Sequence, residues 1–461
     1  MFKRLSQLRP EEVEEFMGIQ GYVTKTPGIG GVIKVKPEDF LAWEVLVNGM
    51  DARAIYESHV PYDGGFGDHV LAVMRKRGID TIRASTVVAR ELGIKPKMIS
   101  ICGIKDKVSV SWQFITLPRN SIKSEGLKLG ELIHVSPIRD FPRPLNSKFL
   151  AKNVFEIIIR EMHRGPAEVQ SCLEELRSIG IPNFYGHQRF GITRPITPLV
   201  GRMMMFGELE DAVMEFLTDS SPLESEENRR ARVRLLENMD PESALQYYPR
   251  SLRYEREILK HLVDRERDFR GAIRALPLRL RRLMVESVSA LIFNKALSKI
   301  ISAGKLNKVE VGDFVVRIDA FGRVEPGRPI IVREGNIGQV ERLRKIGKIA
   351  VALPVPGYLL EIPKSGKGEA LMEAMEELEI SPGMFRLKVI PEASTRGSLR
   401  PLVIPKWSCE IIHYGSRSIT LRMILPPGCY ATALLREIMK PRTPLAFVGK
   451  TNNNNEDAGL G

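Results

Sequence analysis

Most of the features that announce a common chemistry are missing from this 461-residue chain. It holds only four cysteines, Cys102, Cys172, Cys409 and Cys429, and no two of them form a CxxC pair. That argues against a structural zinc site and a disulfide scaffold, and it fits reduced thiols in a cytoplasmic protein. The seven histidines show no HxxxH or HExxH spacing, so no histidine metal centre is expected. No run nears the roughly 18 consecutive apolar residues of a membrane span. The start, MFKRLSQLRPEEVEEF, is charged throughout and lacks the apolar core of a secretion signal.

Glycine patterns for nucleotide cofactors also fall short. GIGG at Gly28 to Gly31 lacks the third glycine and the following helix of a dinucleotide fingerprint. VGKT at Val448 to Thr451 has Pro444 where a phosphate loop needs its first glycine. No Ser–His or Cys–His arrangement stands out, although such triads are scattered in sequence.

Acidic residues are in short supply as well. Sixty-nine Lys and Arg against 56 Asp and Glu leave a net charge of +13. Such a field attracts polyanions, and nucleic acid is the commonest one in a cytoplasm. Residues 250–282 alone hold eleven Lys/Arg against five Asp/Glu, a net +6. Part of that is an ordinary solvated helix face, and the arginine excess suits a phosphate backbone.

The texture of the chain changes near residue 200. Before it, strand-like and helix-like stretches alternate. GGVIKVKPEDFLAWEVLVNG reads as strand, turn at Pro37–Glu38 and strand, with Lys34 on the first strand. HVLAVMRKRG, MISICG, SWQFITL and NVFEIIIREM are β-rich. DTIRASTVVARELG reads as a helix capped by Asp80 and stopped at Gly93, and GPAEVQSCLEELRSIG as another, opened by Pro166 and closed by Gly180. Charged helical stretches follow, including a long one from about Pro277 to Ala303, and then short β-like pieces. The last 60 residues return to β-rich sequence and a helix at YATALLREIM. The expected fold is α+β with a mostly antiparallel sheet, one domain interrupted by another. We place the parts at 1–195, 196–398 for the insertion and 399–450, with a disordered tail at 451–461.

Four segments can carry chemistry. GIKDK (Gly103 to Lys107) sets one carboxylate, Asp106, between two lysines at a strand tip. It reads either as a solvated turn or as a catalytic acid kept ionised by cations. IKVKPEDF places Lys34 and Phe40 around a turn. IPNFYGHQRFG (Ile181 to Gly191) crowds aromatic, amide and guanidinium groups together, as stacking on an unstacked base requires. STRGSLRPL (Ser394 to Leu402) is a short basic loop suited to phosphates. Singly, each reads at least as well as a charged turn, a packed corner or a solvated loop.

Taken together, IKVKPEDFLAWEV, ICGIKDKVSVSWQ, IPNFYGHQRFG, VSALIFNKALSKII and LPPGCYATALLREIM resemble the tRNA pseudouridine synthase D (TruD) family. They occur in the family's order over nearly the whole chain. The resemblance implies a pseudouridine synthase catalytic core interrupted by a helix-rich TRUD domain. It also implies isomerisation of a uridine in tRNA, typically uridine 13 of the D arm, with neither cofactor nor metal. By the same resemblance Asp106 takes the place of the catalytic aspartate and Lys34 of its basic companion. Phe40, Asn183 and Tyr185 match active-site pocket positions, Tyr185 being the ring expected against the target base. Lys105, Lys107, Arg189, Arg396 and Arg400 are read as contacts to the RNA backbone, and His187 is given no role. A monomer is expected. The competing readings are a non-catalytic tRNA-binding protein on the same scaffold, which needs no such carboxylate, and a base-flipping methyltransferase, for which no cofactor loop is present.

Overall fold

The computed structural model of the chain describes residues 4–449, so the expected tail at 451–461 lies outside the described residues. Strand-forming sequence from both halves of the chain meets in one sheet. Its strands are β1 (Gly30–Val32), β2 (Phe40–Leu46), β3 (His69–Arg77), β4 (Ser100–Ile101), β5 (Val110–Pro118), β6 (Leu127–Leu129), β7 (Ile133–Phe141) and β8 (Leu150–Met162). A second sheet holds β9 (Phe314–Arg317), β10 (Ile330–Ile331), β11 (Ile349–Val355) and β12 (Ser398–Pro401). The chain then re-enters the first sheet as β13 (Ser408–Tyr414) and β14 (Ser418–Leu425). The order there is β13-β14-β8-β2-β5-β3-β7-β6, with β1 beside β8 and β4 beside β5.

Adjacent positions on β3 show why this sheet is covered on both faces. Ala72 and Met74 pack with Ala84, Val88 and Ala89 of the helix Thr81–Glu91, while Leu71 and Val73 pack with Trp112 and Phe114 on the other face. The Asp80 side chain caps that helix by accepting from Arg83 N at 2.9 Å. Further along, helices Pro166–Ile179 and Ala431–Met439 cover Ile157, Ile159, Leu421 and Met423. Each such side chain contributes about 1.5–3 kcal/mol when fully buried.

β2 and β5 run parallel, in register Leu41↔Val110 and Trp43↔Trp112, whereas their other neighbours are antiparallel. A parallel pair puts both N-terminal ends on the same edge of a sheet. The segments that lead into β2 and β5 therefore arrive together, though about 70 residues separate them in sequence.

Residues 197–302 form helices. The longest, Leu278–Ser302, is buried on most sides through Met284, Leu291, Phe293 and Leu297. Helix Thr197–Phe206 lies so close that a Cβ on Gly201 would stand 2.1 Å from the Met284 carbonyl oxygen. The second sheet packs on this group through Val315, Val351 and Leu353. Chain leaving the first sheet pairs with chain returning to it: Asn183 N donates to Leu402 O and Ile404 N to Ile181 O, both at 2.9 Å. Among the described residues, no helix is long and apolar enough to cross a membrane.

Three local expectations change. Lys34 lies beyond the end of β1 with φ of 62°, a left-handed conformation that a strand cannot hold. MISICG contributes only the two residues of β4. The nine-residue β7 escaped notice because Pro137 interrupts its pattern. It falls where β7 shifts register against β3, at a bulge that tolerates proline.

Candidate active site

The parallel β2–β5 pair brings Lys34 to Asp106. Lys34 Nζ donates to Asp106 Oδ2 at 2.6 Å, and Gln188 Nε2 donates to the same oxygen at 2.6 Å. The second oxygen, Oδ1, accepts from no described residue. The backbone of Asp106 is held as firmly, its carbonyl accepting from Lys76 Nζ at 2.6 Å and Ser109 Oγ at 2.8 Å. The aspartate is thus fixed by three segments far apart in sequence.

Electrostatics follow from this arrangement. Burial alone pushes the Asp106 carboxyl up. The Lys34 ammonium and the bonds from Lys34 and Gln188 outweigh it and hold the group below its usual value, so it is ionised at neutral pH. Lys76 is wholly buried, and that burial pushes its ammonium down to about 8. The Lys34 ammonium also stands 4.3 Å from the centre of the Phe40 ring, which packs edge-on against Phe155.

Asp106 faces a cavity of about 310 Å³. Phe40, Phe155 and Tyr430 supply its rings, and Gln188, Asn153 and Thr432 its polar groups. The volume is at the lower end of small-molecule sites. Gly186 permits the wall at Tyr430, since a Cβ there would lie 2.8 Å from that ring. The thiols of Cys102 and Cys429 also line it. Burial pushes them up to about 12 and about 11, so both stay protonated and neither is an activated nucleophile.

The other sequence-derived residues divide. Phe40 lines the cavity. Asn183 is not: its amide donates to Pro401 O at 3.0 Å, and its side-chain oxygen accepts from Arg400 Nη2 at 2.6 Å. Tyr185 lies behind Tyr430 at 6.2 Å between ring centres, under the Arg400 guanidinium at 4.2 Å. Tyr430, not Tyr185, is the tyrosine that lines the cavity.

Two of the cations read as RNA contacts are internal. Lys105 Nζ pairs at 2.6 Å with the fully buried Glu44. Arg400 is bound to the carbonyls of Asn183 and Gly428 at 2.8 and 3.0 Å and so ties the Gly428 loop to Asn183. Neither group is free for a phosphate, because burial leaves each one surrounded by protein acceptors. Lys107 and Arg396 are exposed, and Arg189 sits 3.3 Å from Glu286. His187 is buried against Glu14 at 2.8 Å and against the Phe447 ring.

Gln188, Lys76 and Tyr430 were missed as site residues. Gln188 lies in IPNFYGHQRFG beside the residues assigned a role there, and Tyr430 lies in LPPGCYATALLREIM, a segment to which the sequence assigns no site residue. Lys76 is the middle one of three consecutive cations at the end of β3, fully buried between the partly exposed Arg75 and Arg77, so charge pattern alone does not single it out.

Comparison with known proteins identifies the family. The model of the family described as tRNA pseudouridine synthase D (TruD) matches residues 16–438. A relative from Methanosarcina mazei, named tRNA pseudouridine synthase D with the qualifier probable, is 30% identical over 93% of this chain and 98% of its own. One from Pyrococcus abyssi with the same name is 33% identical over 91% and 98%. A crystal structure from Methanosarcina mazei, described as tRNA pseudouridine synthase D (TruD) with the qualifier putative, superposes with a TM-score of 0.74, at 30% identity over 95% of this chain and 99% of that one. With its family model, its relatives and its fold in agreement, the chain belongs to the tRNA pseudouridine synthase D (TruD) family.

Proposed function

We propose that this chain isomerises a uridine of tRNA to pseudouridine, acting at uridine 13 of the D arm, with Asp106 as the catalytic group. The observation that carries the reading is the ionised carboxylate at the cavity wall, tethered through Oδ2 to Lys34 and Gln188 with Oδ1 left unpartnered. The rings of Phe40, Phe155 and Tyr430 suit a uracil removed from its stack, an event that costs a few kcal/mol and that stacking on the protein offsets by about 1–3 kcal/mol.

The reaction exchanges one bond for another. The C1′–N1 bond breaks, the uracil turns, C5 bonds to C1′, and the C5 proton leaves while N1 gains one. Asp106 serves this in one of two ways. As nucleophile, an oxygen bonds C1′ as N1 departs, and C5 then displaces it. As base, it takes the C2′ proton as uracil leaves and returns it after C5 adds. Both routes need the carboxylate ionised, which Lys34 secures, and both are redox-neutral. The enzyme works as a cytoplasmic monomer, and exposed cations of residues 250–282 meet tRNA phosphates.

The test is tritium release from tRNA carrying [5-³H]uridine, with the modified position then mapped. Release by the wild type at uridine 13 is expected. Tight tRNA binding without release would establish a binding protein instead, and release from another position would remove the uridine 13 assignment.

A further inference from the structure

We propose that a second groove, at the far end of β8 from the catalytic cavity, grips the ribose-phosphate backbone of the RNA substrate away from the reacting nucleotide. The inference rests on the RNA reading above. The groove, of about 670 Å³, lies between the β1 segment, the chain leaving β8 and the chain leaving helix Ala431–Met439. Phe155 at the catalytic cavity and Glu161 at this groove are six residues apart on β8, roughly 20 Å at about 3.3 Å per residue. That is about six stacked base steps at roughly 3.4 Å each, a distance one substrate can bridge.

The floor is the GIGG stretch that fails as a cofactor motif. Gly30 and Gly31 have φ of 68° and 88°. A Cβ would stand 2.7 Å from the His163 ring at the first and 2.6 Å from the Arg160 carbonyl oxygen at the second. Glycine is therefore required, and the groove stays open above bare backbone. No helix follows this stretch, which runs on as β1, so an anion here is held by side chains and not by a helix end.

Those side chains are cationic. Arg164 and Arg442, from segments remote in sequence, are exposed, line the groove and make no hydrogen bond or ion pair with any described residue. Lys440 beside them donates to the carbonyls of Thr24 and Thr26, both at 2.7 Å. Glu161 is the single acid among the lining residues. Two unpaired guanidiniums on an open, glycine-floored trough suit a phosphate chain, which takes each in a forked contact.

Reversing both charges in Arg164→Glu/Arg442→Glu tests this. Filter binding of a full-length tRNA transcript is measured across a salt series, beside turnover of that tRNA and of a short stem-loop bearing the target uridine. The groove predicts at least a tenfold weaker full-length complex and a salt slope lower by about two. It also predicts an unchanged melting temperature, unchanged kcat and wild-type turnover of the stem-loop. The double Lys variant restores binding. Unaltered affinity and salt slope in a folded variant overturn the proposal, as does an equal loss for the stem-loop. If the double reversal unfolds, Arg442→Ala decides by the same readouts with half the change in slope. Binding is read apart from turnover, so absence of isomerase activity sinks the enzymatic reading without deciding the groove.

Discussion

Two clusters of buried charge in this molecule look alike in composition and differ in use. In the helical region, Arg232 lies between Glu224 and Glu255 at 3.2 and 2.8 Å, and Arg194 donates to the carbonyls of Asp219 and Phe216 at 2.8 and 2.7 Å. Burial and the charge of Arg232 push Arg194 down to about 10. None of these residues lines the catalytic cavity. At the N-terminal ends of the central β2–β5 pair, Lys34 and Asp106 make a still shorter contact at 2.6 Å, but one carboxylate oxygen keeps no partner beside a cavity. A saturated cluster orders helices. An unsaturated one, held as tightly from behind, keeps a reactive atom available, at the expense of stability that a closed cluster would supply.

Breaking each cluster separates the two roles. Asp106→Asn is expected to lower turnover by about 10⁴-fold with a smaller fall in melting temperature than Arg232→Met, because the amide oxygen still accepts from Lys34 and Gln188. Tritium release beside a thermal melt measures both, and near-normal turnover would remove Asp106 from the mechanism. Arg232→Met should do the reverse. Leaving the buried Glu224 and Glu255 with only their longer contacts to Arg194, at 3.6 and 3.5 Å, costs about 3 kcal/mol in denaturant unfolding, while kcat of the folded enzyme is kept.

Smaller changes sharpen the contrast. Gln188→Leu deletes one bond to a charged acceptor, worth about 1.5–3 kcal/mol, so kcat should fall about ten- to hundredfold with little change in tRNA affinity. The smallest effect is in the pH profile. The folded-state pKa of Asp106 lies below its ordinary 3.8. Activity is therefore present above that range and is lost only as pH falls through the lowered value, as is the stability the pairing contributes. In Lys34→Met burial is opposed only by the Gln188 bond and the Lys76 charge, so the acid limb should move to higher pH; an unmoved limb would show that Lys34 does not set the charge of Asp106.

How much was legible in the sequence can be traced residue by residue. The helix Thr81–Glu91 was readable because its cap, apolar spacing and stop are local signals. The change near residue 200 was readable from texture, and the structure shows helices from Thr197 to Ser302 between two visits to one sheet. β7 was not readable, since Pro137 sits at a bulge that only pairing with β3 explains. Lys105, Asp106 and Lys107 are neighbours in sequence, yet one is buried on Glu44, one faces the cavity and one meets solvent. Charge pattern alone could not sort them. Arg400 and Arg442 look equally suited to phosphate, and only burial tells the closed contact from the open one.

The sequence by itself determined what local chemistry and motif can carry: a basic α+β protein, one carboxylate between lysines, and the order of segments that marks the family. Tertiary structure decided which groups meet. Lys34 and Asp106 are 72 residues apart, and they touch because β2 and β5 run parallel and side by side. Strand adjacency is a property of the whole sheet, set by burial on both faces, and neither loop records it.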